Sequence, residues 1–230
     1  YPGDAKTTEQ LMDHCSTSLR RSKQVGRNVA KFYTAEMQER FEARNRLRLE
    51  LQKSLEQNHF GLLYQPIISL RNGLLVGVEA LLRWNHPSYG RLEPEHFLDV
   101  AEESGMLVAL GRWIILQACT QSLEWSRSGL DIFVTVNLSL REFLQADLTE
   151  TIQRSLDHTG ALAQNLVFEI PERFQQADPS RAAKVVAQLR KLGVRVALDR
   201  FGSAATKLEH LNSDLFQFLK IDRNLVAQLQ

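Results

Sequence analysis

The chain has 230 residues, of which 43% are hydrophobic and 24% charged, and its formal net charge is +1 at pH 7. This length can bury a sizeable core, either as one large α/β domain with an appendage or as two small domains. The near-neutral charge argues against a nucleic-acid polymer as partner, because such proteins usually carry a clustered basic excess. No apolar run approaches the roughly 20 residues of a membrane span, and the first residues are not a secretory signal. We therefore expect a cytoplasmic segment that makes no membrane contact of its own and binds a small ligand or a protein.

Residues 1–33 are the first predicted segment. The pattern predicts a helix over about residues 8–24, a turn at Gly26-Arg27-Asn28 and a strand over residues 29–33. One helix and one strand cannot enclose a hydrophobic core. We therefore predict that this segment is the end of a larger domain.

Residues 34–58 are predicted to form a connecting helix. The apolar residues recur at roughly helical spacing and indicate one buried stripe, formed by Met37, Phe41, Leu47, Leu51 and Leu55. The pattern leaves two roles open, a solvated linker and a helix that transmits a conformational change.

From residue 59 onward, short apolar runs alternate with helical patterns. The predicted strands cover residues 61–68, 74–82, 132–138, 166–170, 194–198 and 216–221. Pro94 and Gly105 bound one predicted helix, and Asp178-Pro179 and Gly193 bound another. Nearly continuous apolar strands that alternate with helices predict a parallel sheet covered by helices. Both a (β/α) barrel and an open doubly wound sheet fit this pattern.

Polar residues follow the apolar core of five predicted strands: Glu79, Asn137, Glu169, Asp199 and Lys220. In a parallel barrel these strand ends meet at one face, where active sites are built. Carboxylate and amide oxygens are ligands that Mg²⁺ or Mn²⁺ prefers. The lysine could orient a metal-bound water or offset the negative charge, and the alternative is a buried ion-pair network around Lys220. Arg83, four residues after Glu79, is suited to a phosphate.

Several blocks resemble, in order and spacing, the motifs of EAL domains, which are cyclic-di-GMP phosphodiesterases of TIM-barrel-like fold. The blocks extend over about 170 residues and are Tyr64-Gln65-Pro66-Ile67, Glu79-Ala80-Leu81-Leu82-Arg83-Trp84, Val136-Asn137-Leu138-Ser139, Glu169-Ile170-Pro171-Glu172, Asp199-Arg200-Phe201-Gly202 and Leu219-Lys220-Ile221-Asp222. The resemblance implies an α/β, TIM-barrel-like fold for residues 59–230 and a role in second-messenger signal transduction.

The resemblance also implies roles for individual residues. Lys220 and Glu79 are the expected catalytic residues, with Lys220 contacting the attacking water. The expected metal ligands for Mg²⁺ or Mn²⁺ are Glu79, Asn137, Glu169 and Asp199. The expected contacts to the dinucleotide are Gln65, Leu81, Arg83 and Asp222, with Arg83 on a phosphate.

The chain also departs from the family pattern. Arg200 stands where the family usually has a second aspartate, so a positive charge replaces a carboxylate of the second metal and favours one metal site over two. The loop Ser203-Ala204-Ala205-Thr206-Lys207 replaces a glycine-containing stretch, and Pro171 replaces the usual threonine. The motifs of the last two strands are not present before Gln230. The chain is therefore either a fragment or a truncated domain that needs a partner or a swapped segment to close its barrel.

The run from Leu19 to Asn28 resembles the carboxyl-terminal end of a GGDEF domain, the diguanylate cyclase family. This resemblance implies that residues 1–33 are a GGDEF-like remnant, that residues 34–58 are the linker helix and that an upstream GGDEF-like domain is a partner. We also expect a homodimer, because domains of this type commonly dimerise.

Three functions are compatible with these residues. The first is a degenerate EAL domain that binds cyclic-di-GMP with little or no hydrolysis. The second is an active metal-dependent phosphodiesterase, and the third is an interaction module that binds neither nucleotide nor metal.

Overall fold

The computed structural model describes residues 5–25, 29–30, 32–172, 178–202 and 215–228. The α-helices in these ranges are α1 (Thr8–Val25), α2 (Ala35–Glu56), α3 (Leu98–Glu103), α4 (Leu107–Arg127), α5 (Leu140–Phe143), α6 (Leu148–Thr159), α7 (Pro179–Lys191) and α8 (Arg223–Ala227). The strands are β1 (Phe60–Ile68), β2 (Leu75–His86), β3 (Gly90–Leu92), β4 (Phe133–Asn137), β5 (Leu166–Pro171), β6 (Arg195–Phe201) and β7 (Phe218–Ile221). None of the described helices combines the length and the apolar character needed to cross a membrane.

The helix signals in the sequence correspond to observed helix ends. The Thr34 hydroxyl caps α2 by accepting the Met37 N–H at 3.3 Å, and the Asp178 carboxylate caps α7 by accepting the Arg181 N–H at 3.0 Å. Gly193 follows α7 with a φ of 86°, a conformation that glycine adopts without strain. The helix predicted from Pro94 onward is split into a short 3₁₀ helix, Pro94–His96, and α3.

The strands form one mixed sheet in the order β1-β2-β4-β5-β6-β7, with β3 paired to β2. The pairs from β2–β4 to β6–β7 are parallel, but β1 and β3 are both antiparallel to β2. The prediction of a parallel sheet is therefore wrong for β1 and β3. Residues 69–74 join β1 to β2, and a parallel crossover needs roughly a dozen residues or more.

Strand β2 is longer than predicted. It continues beyond the predicted end at residue 82 to His86, because β1 pairs with it over residues 60–68 and β3 pairs with its last residues. Glu79 therefore lies within the strand, at the carboxyl side of the part that pairs with β4.

The sheet curls, so that strands far apart in the sheet order face each other. Lys220 on β7 contacts Glu79 on β2, although β4, β5 and β6 lie between these strands. The rings of Phe133 on β4 and Phe218 on β7 also meet, with their centroids 5.3 Å apart. The curl gives the parallel strands an inner face and an outer face.

The outer face carries the main hydrophobic core. Alternate strand residues pack there against α4, α6 and α7, because successive side chains of a strand point to opposite faces. The buried residues of this core include Val134, Val136, Leu166, Phe168, Ile170, Val196, Ile115, Cys119, Ile152, Val186 and Leu189.

A second core attaches α2 to the β1–β2 hairpin. Leu51 of α2 is fully buried in a cluster with Phe60, Trp84, Phe97 and Leu110. This packing confirms the carboxyl-terminal part of the predicted stripe, formed by Leu47, Leu51 and Leu55, whereas Met37 and Phe41 are only partly buried and lie outside the cluster. The carboxyl half of α2 is therefore packed against the sheet and is not a solvated spacer.

Polar contacts reinforce this attachment. His86 Nε2 lies 3.0 Å from Glu50 Oε2, and His86 Nδ1 accepts the backbone N–H of Ser88 at 3.0 Å. Because Nδ1 is an acceptor, the proton lies on Nε2 and is donated to Glu50. Arg44 and Glu103 form a further ion pair between α2 and α3 at 3.0 Å.

Some predicted features are not found or lie outside the described residues. Residues 29–30 and 32–33 have no regular secondary structure, so the strand predicted over residues 29–33 is wrong for this part of the chain. A strand needs a neighbour to pair its backbone groups, and the described sheet contains no strand paired with this segment. The turn at residues 26–28, the loop at residues 203–207 and Gln230 lie outside the described residues.

Candidate functional site

Adjacent strands bring the predicted polar residues to one region of the inner face. Asn137 on β4 is the register partner of Glu169 on β5, and Asp199 on β6 is opposite Pro171, two residues after Glu169. Lys220 lies on β7, the next strand in the sheet. The expectation that these side chains gather at one edge is therefore confirmed in its geometry.

Lys220 is the centre of a hydrogen-bonded cluster. Its Nζ donates to Glu169 Oε2 at 2.6 Å and to Glu79 Oε2 at 2.8 Å. Asn137 Nδ2 donates to the other carboxylate oxygen of Glu79, also at 2.8 Å. We call these four residues the Lys220 cluster, and it joins three parallel strands to β2 across the inside of the curl.

Burial shapes the electrostatics of the Lys220 cluster. The side chain of Glu169 is fully buried, whereas those of Glu79 and Lys220 are 20% and 34% exposed. Burial raises the pKa of Glu169, because it disfavours the charged carboxylate, and the nearby Lys220 ammonium opposes that shift. Burial alone would lower the pKa of Lys220, but the Glu169 and Glu79 carboxylates outweigh it, and the pKa lies above its ordinary value.

One oxygen of Glu169 has an unused acceptor capacity. Its Oε1 is buried and has no hydrogen-bond donor among the described residues, and the buried hydroxyl of Thr135 has no partner there either. Thr135 is near enough to favour the charged form of Glu169, but the two groups do not reach hydrogen-bond geometry. A buried carboxylate oxygen without a partner is unfavourable unless a donor, a water or a cation completes it, and the Thr135 hydroxyl is a donor beside it.

Thr135 was not among the residues predicted from the sequence. The signal was available, because it lies two residues before Asn137 on the same face of β4.

Asp199 and Arg200 lie at the edge of the site. The Asp199 side chain is 17% exposed, and its Oδ2 is 3.8 Å from Nε of Arg200. Arg200 itself is 75% exposed and has a φ of 55°, a left-handed conformation that is uncommon for a residue other than glycine. Arg200 thus forms a long ion pair with Asp199 and leaves most of its side chain in solvent.

The predicted nucleotide contacts lie on the hairpin beside the Lys220 cluster. Gln65 on β1 is exposed and directly opposite Glu79. Leu81 and Arg83 are partly buried and share a face of β2 with Glu79, because they follow it at intervals of two residues. One guanidinium N–H of Arg83 donates to the Leu82 carbonyl at 2.8 Å.

Asp222 has a structural role in the fold. It precedes α8, and its carboxylate accepts the Asn224 N–H at 2.9 Å as a helix cap. Its own N–H donates to the Phe201 carbonyl at 3.0 Å, which ties the end of β7 to the end of β6.

The described residues contain no group of three or more His, Cys, Asp or Glu side chains arranged to hold a metal ion. Lys220 lies between two of the expected ligands, and the amide of Asn137 is the group nearest to Glu79 Oε1. The Lys220 cluster can therefore act as an ion-pair network, and the unpartnered Glu169 oxygen is the point at which it can accept a cation.

The family model of the EAL domain matches residues 48–230. The chain belongs to the EAL domain family. The matched EAL structures have a TIM-barrel-like fold, so the fold predicted from the sequence is confirmed. The start of the match, within α2, agrees with the packing of the carboxyl half of that helix against the EAL sheet.

Among curated proteins, the chain is 33% identical over 230 residues to the bifunctional diguanylate cyclase/cyclic di-GMP phosphodiesterase MucR of Pseudomonas aeruginosa. It is 30% identical over 230 residues to the cyclic di-GMP phosphodiesterase NbdA of the same organism. The match covers all of this chain but 34% of MucR and 29% of NbdA, so this EAL-containing chain spans about a third of the relatives' length.

Two solved EAL structures are similar to this one. The PaMucR phosphodiesterase in complex with c-di-GMP has a TM-score of 0.75 and 34% identity, over 80% of this chain and 75% of that chain. The FimX EAL domain of Pseudomonas aeruginosa bound to c-di-GMP has a TM-score of 0.72 and 29% identity, over 80% and 74% of the two chains. The chain is therefore an EAL domain of cyclic-di-GMP signalling proteins, and its structural neighbours include nucleotide complexes.

Proposed function

We propose that this EAL domain binds cyclic-di-GMP against the β1–β2 hairpin, above the Lys220 cluster, and hydrolyses it weakly or not at all. The observation that carries the proposal is the common face of Gln65, Glu79, Leu81 and Arg83 on paired strands beside the Lys220 ammonium. Two cations and an amide next to an apolar side chain suit a ligand with phosphates and flat bases. The similarity to nucleotide-bound EAL structures supports the same ligand.

Arg83 is the proposed phosphate contact. A guanidinium offers several N–H donors in one plane, which match phosphate oxygens, and the bond to Leu82 uses one nitrogen of Arg83. Gln65 is exposed on the neighbouring strand and can donate to or accept from a base or ribose. Leu81 lies between them on the hairpin face and offers an apolar surface for a base.

The oxygen donors of the expected ligands also suit one divalent cation by their chemistry, although their arrangement around Lys220 does not enclose one. Glu79, Asn137, Glu169 and Asp199 would hold Mg²⁺ or Mn²⁺ through oxygen, and the unpartnered Oε1 of Glu169 is the acceptor that such an ion would complete. A bound cation would polarise the phosphodiester and lower the pKa of a water. Lys220 bridges Glu79 and Glu169, and its ammonium would donate to a water that such an ion activates.

Arg200 is the reason for proposing weak hydrolysis. A second cation needs additional negative ligands, whereas this position supplies a guanidinium 3.8 Å from the Asp199 carboxylate. The same residue leaves an active phosphodiesterase as the second candidate. Its side chain is 75% exposed, so solvent screens its charge and a small rotation would move it away from Asp199.

The domain arrangement is a further part of the proposal. We propose that residues 1–33 end a GGDEF-like domain, that residues 34–58 link it to the EAL domain and that the whole protein forms a homodimer. The match to bifunctional MucR over all 230 residues supports the first two points. Within this chain, the Thr17 hydroxyl of α1 donates a hydrogen bond to the Gln38 side chain of α2, and His14 of α1 stacks on Tyr33 in the segment just before α2.

Calorimetric titration with cyclic-di-GMP in Ca²⁺, and again in EDTA, tests nucleotide binding. We expect binding in Ca²⁺, and Arg83→Ala should weaken it about 10- to 100-fold, which corresponds to about 1.5–3 kcal/mol for hydrogen bonds to a charged group. Arg71→Ala is the matched control, because Arg71 is exposed in the turn of the same hairpin. The absence of heat in both conditions, from a folded protein, would overturn the proposal and favour an interaction module that binds no nucleotide.

A hydrolysis assay in Mn²⁺ decides between the two nucleotide-handling functions. We expect little or no linear dinucleotide. Turnover that Glu79→Ala abolishes would instead make the chain an active phosphodiesterase. Turnover that survives in Glu79→Ala would show that Glu79 is not a required metal ligand.

A further inference from the structure

A second layer of inner-face side chains lies beneath the Lys220 cluster, toward the amino ends of the parallel strands. It consists of Gly77 on β2, Phe133 on β4, Arg195 on β6 and Phe218 on β7, and we call it the floor layer. Alternate residues of a strand share a face, so Gly77 lies under Glu79 and Phe218 lies under Lys220.

The centre of the floor layer is a guanidinium between two aromatic rings. Cζ of Arg195 is 4.9 Å from the Phe133 ring centroid and 5.3 Å from the Phe218 ring centroid. Both distances are within the range of about 6 Å for an attractive contact between a cation and a ring. The Arg195 Nε is buried without a hydrogen-bond partner among the described residues, and the Asp131 carboxylate is the charged group that acts on this guanidinium.

Strand β2 accommodates the stack at a glycine. A Cβ at position 77 would lie 2.4 Å from the Phe133 ring, which no side chain can tolerate without movement of the ring. The absence of a side chain at Gly77 therefore lets Phe133 rest directly on β2. Through Phe133, Arg195 and Phe218, the floor layer connects β2 to β4, β6 and β7.

This connection matters most for β7. In the described part of the sheet β7 pairs with β6 alone, and the register shifts between Leu198 and Phe201. The outer-face side chains of β7, Leu219 and Ile221, are 47% and 60% exposed and provide little packing. Leu215 and Phe216, just before β7, pack against the main core, and on the inner face the aromatic stack and the Lys220 cluster connect β7 to β2 across the curl.

We propose that Phe133, Arg195 and Phe218 are positioning residues for Lys220. The stack sets the position of β7 so that one ammonium reaches Glu169 on β5 and Glu79 on β2 at the same time. The proposal rests on the proposed function only for what Lys220 does in the site, because the placement itself is a property of the ligand-free protein.

Lysine-selective NMR of the ligand-free chain directly tests the position of the Lys220 ammonium between Glu169 and Glu79. The ¹H–¹⁵N correlation spectrum of the lysine ammonium groups gives one signal for each slowly exchanging group, and the Lys220 signal is assigned from its loss in Lys220→Arg. In the wild type, the chemical shift of Lys220 should differ clearly from those of the exposed lysines. In Phe218→Ala and in Arg195→Met, most of this chemical-shift difference should disappear, because the Lys220 ammonium no longer bridges both carboxylates. Arg195→Lys should restore part of it, since a cation returns between the rings.

Leu219→Ala is the matched control. It truncates an exposed side chain on the outer face of the same strand, so the Lys220 signal should not move. Phe218→Leu and Phe133→Leu keep apolar volume and replace the alanine variant if that variant does not fold. A Lys220 signal that stays at its wild-type position in the folded Phe218, Phe133 and Arg195→Met variants would overturn the proposal.

The test of the positioning role and the test of the proposed function can fail independently of each other. If cyclic-di-GMP does not bind but the Lys220 signal collapses in the stack variants, the positioning role stands and the proposed ligand falls. If the nucleotide binds with wild-type affinity and the Lys220 signal is insensitive to the stack, the proposed ligand stands and the positioning role falls.

Discussion

On the outer face of β5, Phe168 and Ile170 are buried among apolar helix residues, whereas on the inner face of the same strand Glu169 is fully buried with a charge. On the outer face, burial of apolar surface stabilises the fold by roughly 25 cal/mol per Å². On the inner face, the transfer of a carboxylate out of water destabilises the fold. The ion pair with Lys220 and the hydrogen bonds offset this cost. Neighbouring residues of one strand thus serve stability on one side and chemistry on the other.

The largest effect expected from this comparison is on the outer face. Phe168 has no exposed surface and lies in the middle of the parallel strands, so Phe168→Ala should lower the free energy of unfolding by about 3–5 kcal/mol. Urea unfolding at pH 7 measures it. Leu70→Ala, at a fully exposed hairpin position, should stay within about 0.5 kcal/mol. Equal losses in the two variants would contradict the assignment of the main core.

The next effect concerns the ion pair of the inner face. Lys220→Met leaves the buried Glu169 without its cation and should cost about 3 kcal/mol of unfolding free energy, the low end for such pairs because Lys220 is 34% exposed. Adding Glu169→Gln should recover most of this loss, since the uncompensated charge is then removed. Arg40→Ala breaks the exposed pair with Glu36 and should cost at most about 1 kcal/mol. A double variant no more stable than Lys220→Met would contradict this account.

A smaller effect is expected in the pH dependence of the same pair. The pKa of Lys220 is raised in the folded state, so its stabilisation is complete below the ordinary lysine pKa of about 10.4 and is lost as the pH rises through the folded-state value. The difference in unfolding free energy between wild type and Lys220→Met should be constant over the pH range in which Glu169 is ionised in both proteins, up to about pH 10, and should shrink above pH 10. Tyr64 and Cys119, whose pKa values burial raises to about 12, are present in both proteins and cancel in the difference. If the difference in unfolding free energy instead grew above pH 10, deprotonation of Lys220 would stabilise the folded state, which would contradict the ion pair.

Local pattern predicted the elements of this fold well, since the helix limits depend on neighbours in sequence. The capping residues Thr34 and Asp178 and the glycine at 193 mark helix ends that the structure shares. The direction of β1 was missed, although the short connection with Asn72-Gly73 was a usable hairpin signal. The extension of β2 to His86 depends on pairing with β3, a strand too short to be found from its own sequence.

Motif spacing and two-residue alternation are properties of the chain, so they were enough to predict the family, the α/β class and the polar residues that end or line the inner strands. Tertiary structure alone decided that Lys220 reaches across the curl to Glu79, that Glu169 is fully buried and that Arg200 is mostly in solvent. It also decided that Arg195 lies between Phe133 and Phe218. The Lys220–Glu79 and Phe133–Phe218 contacts join strands that are distant in sequence and in sheet order, and only the curl of the whole sheet brings these strands together.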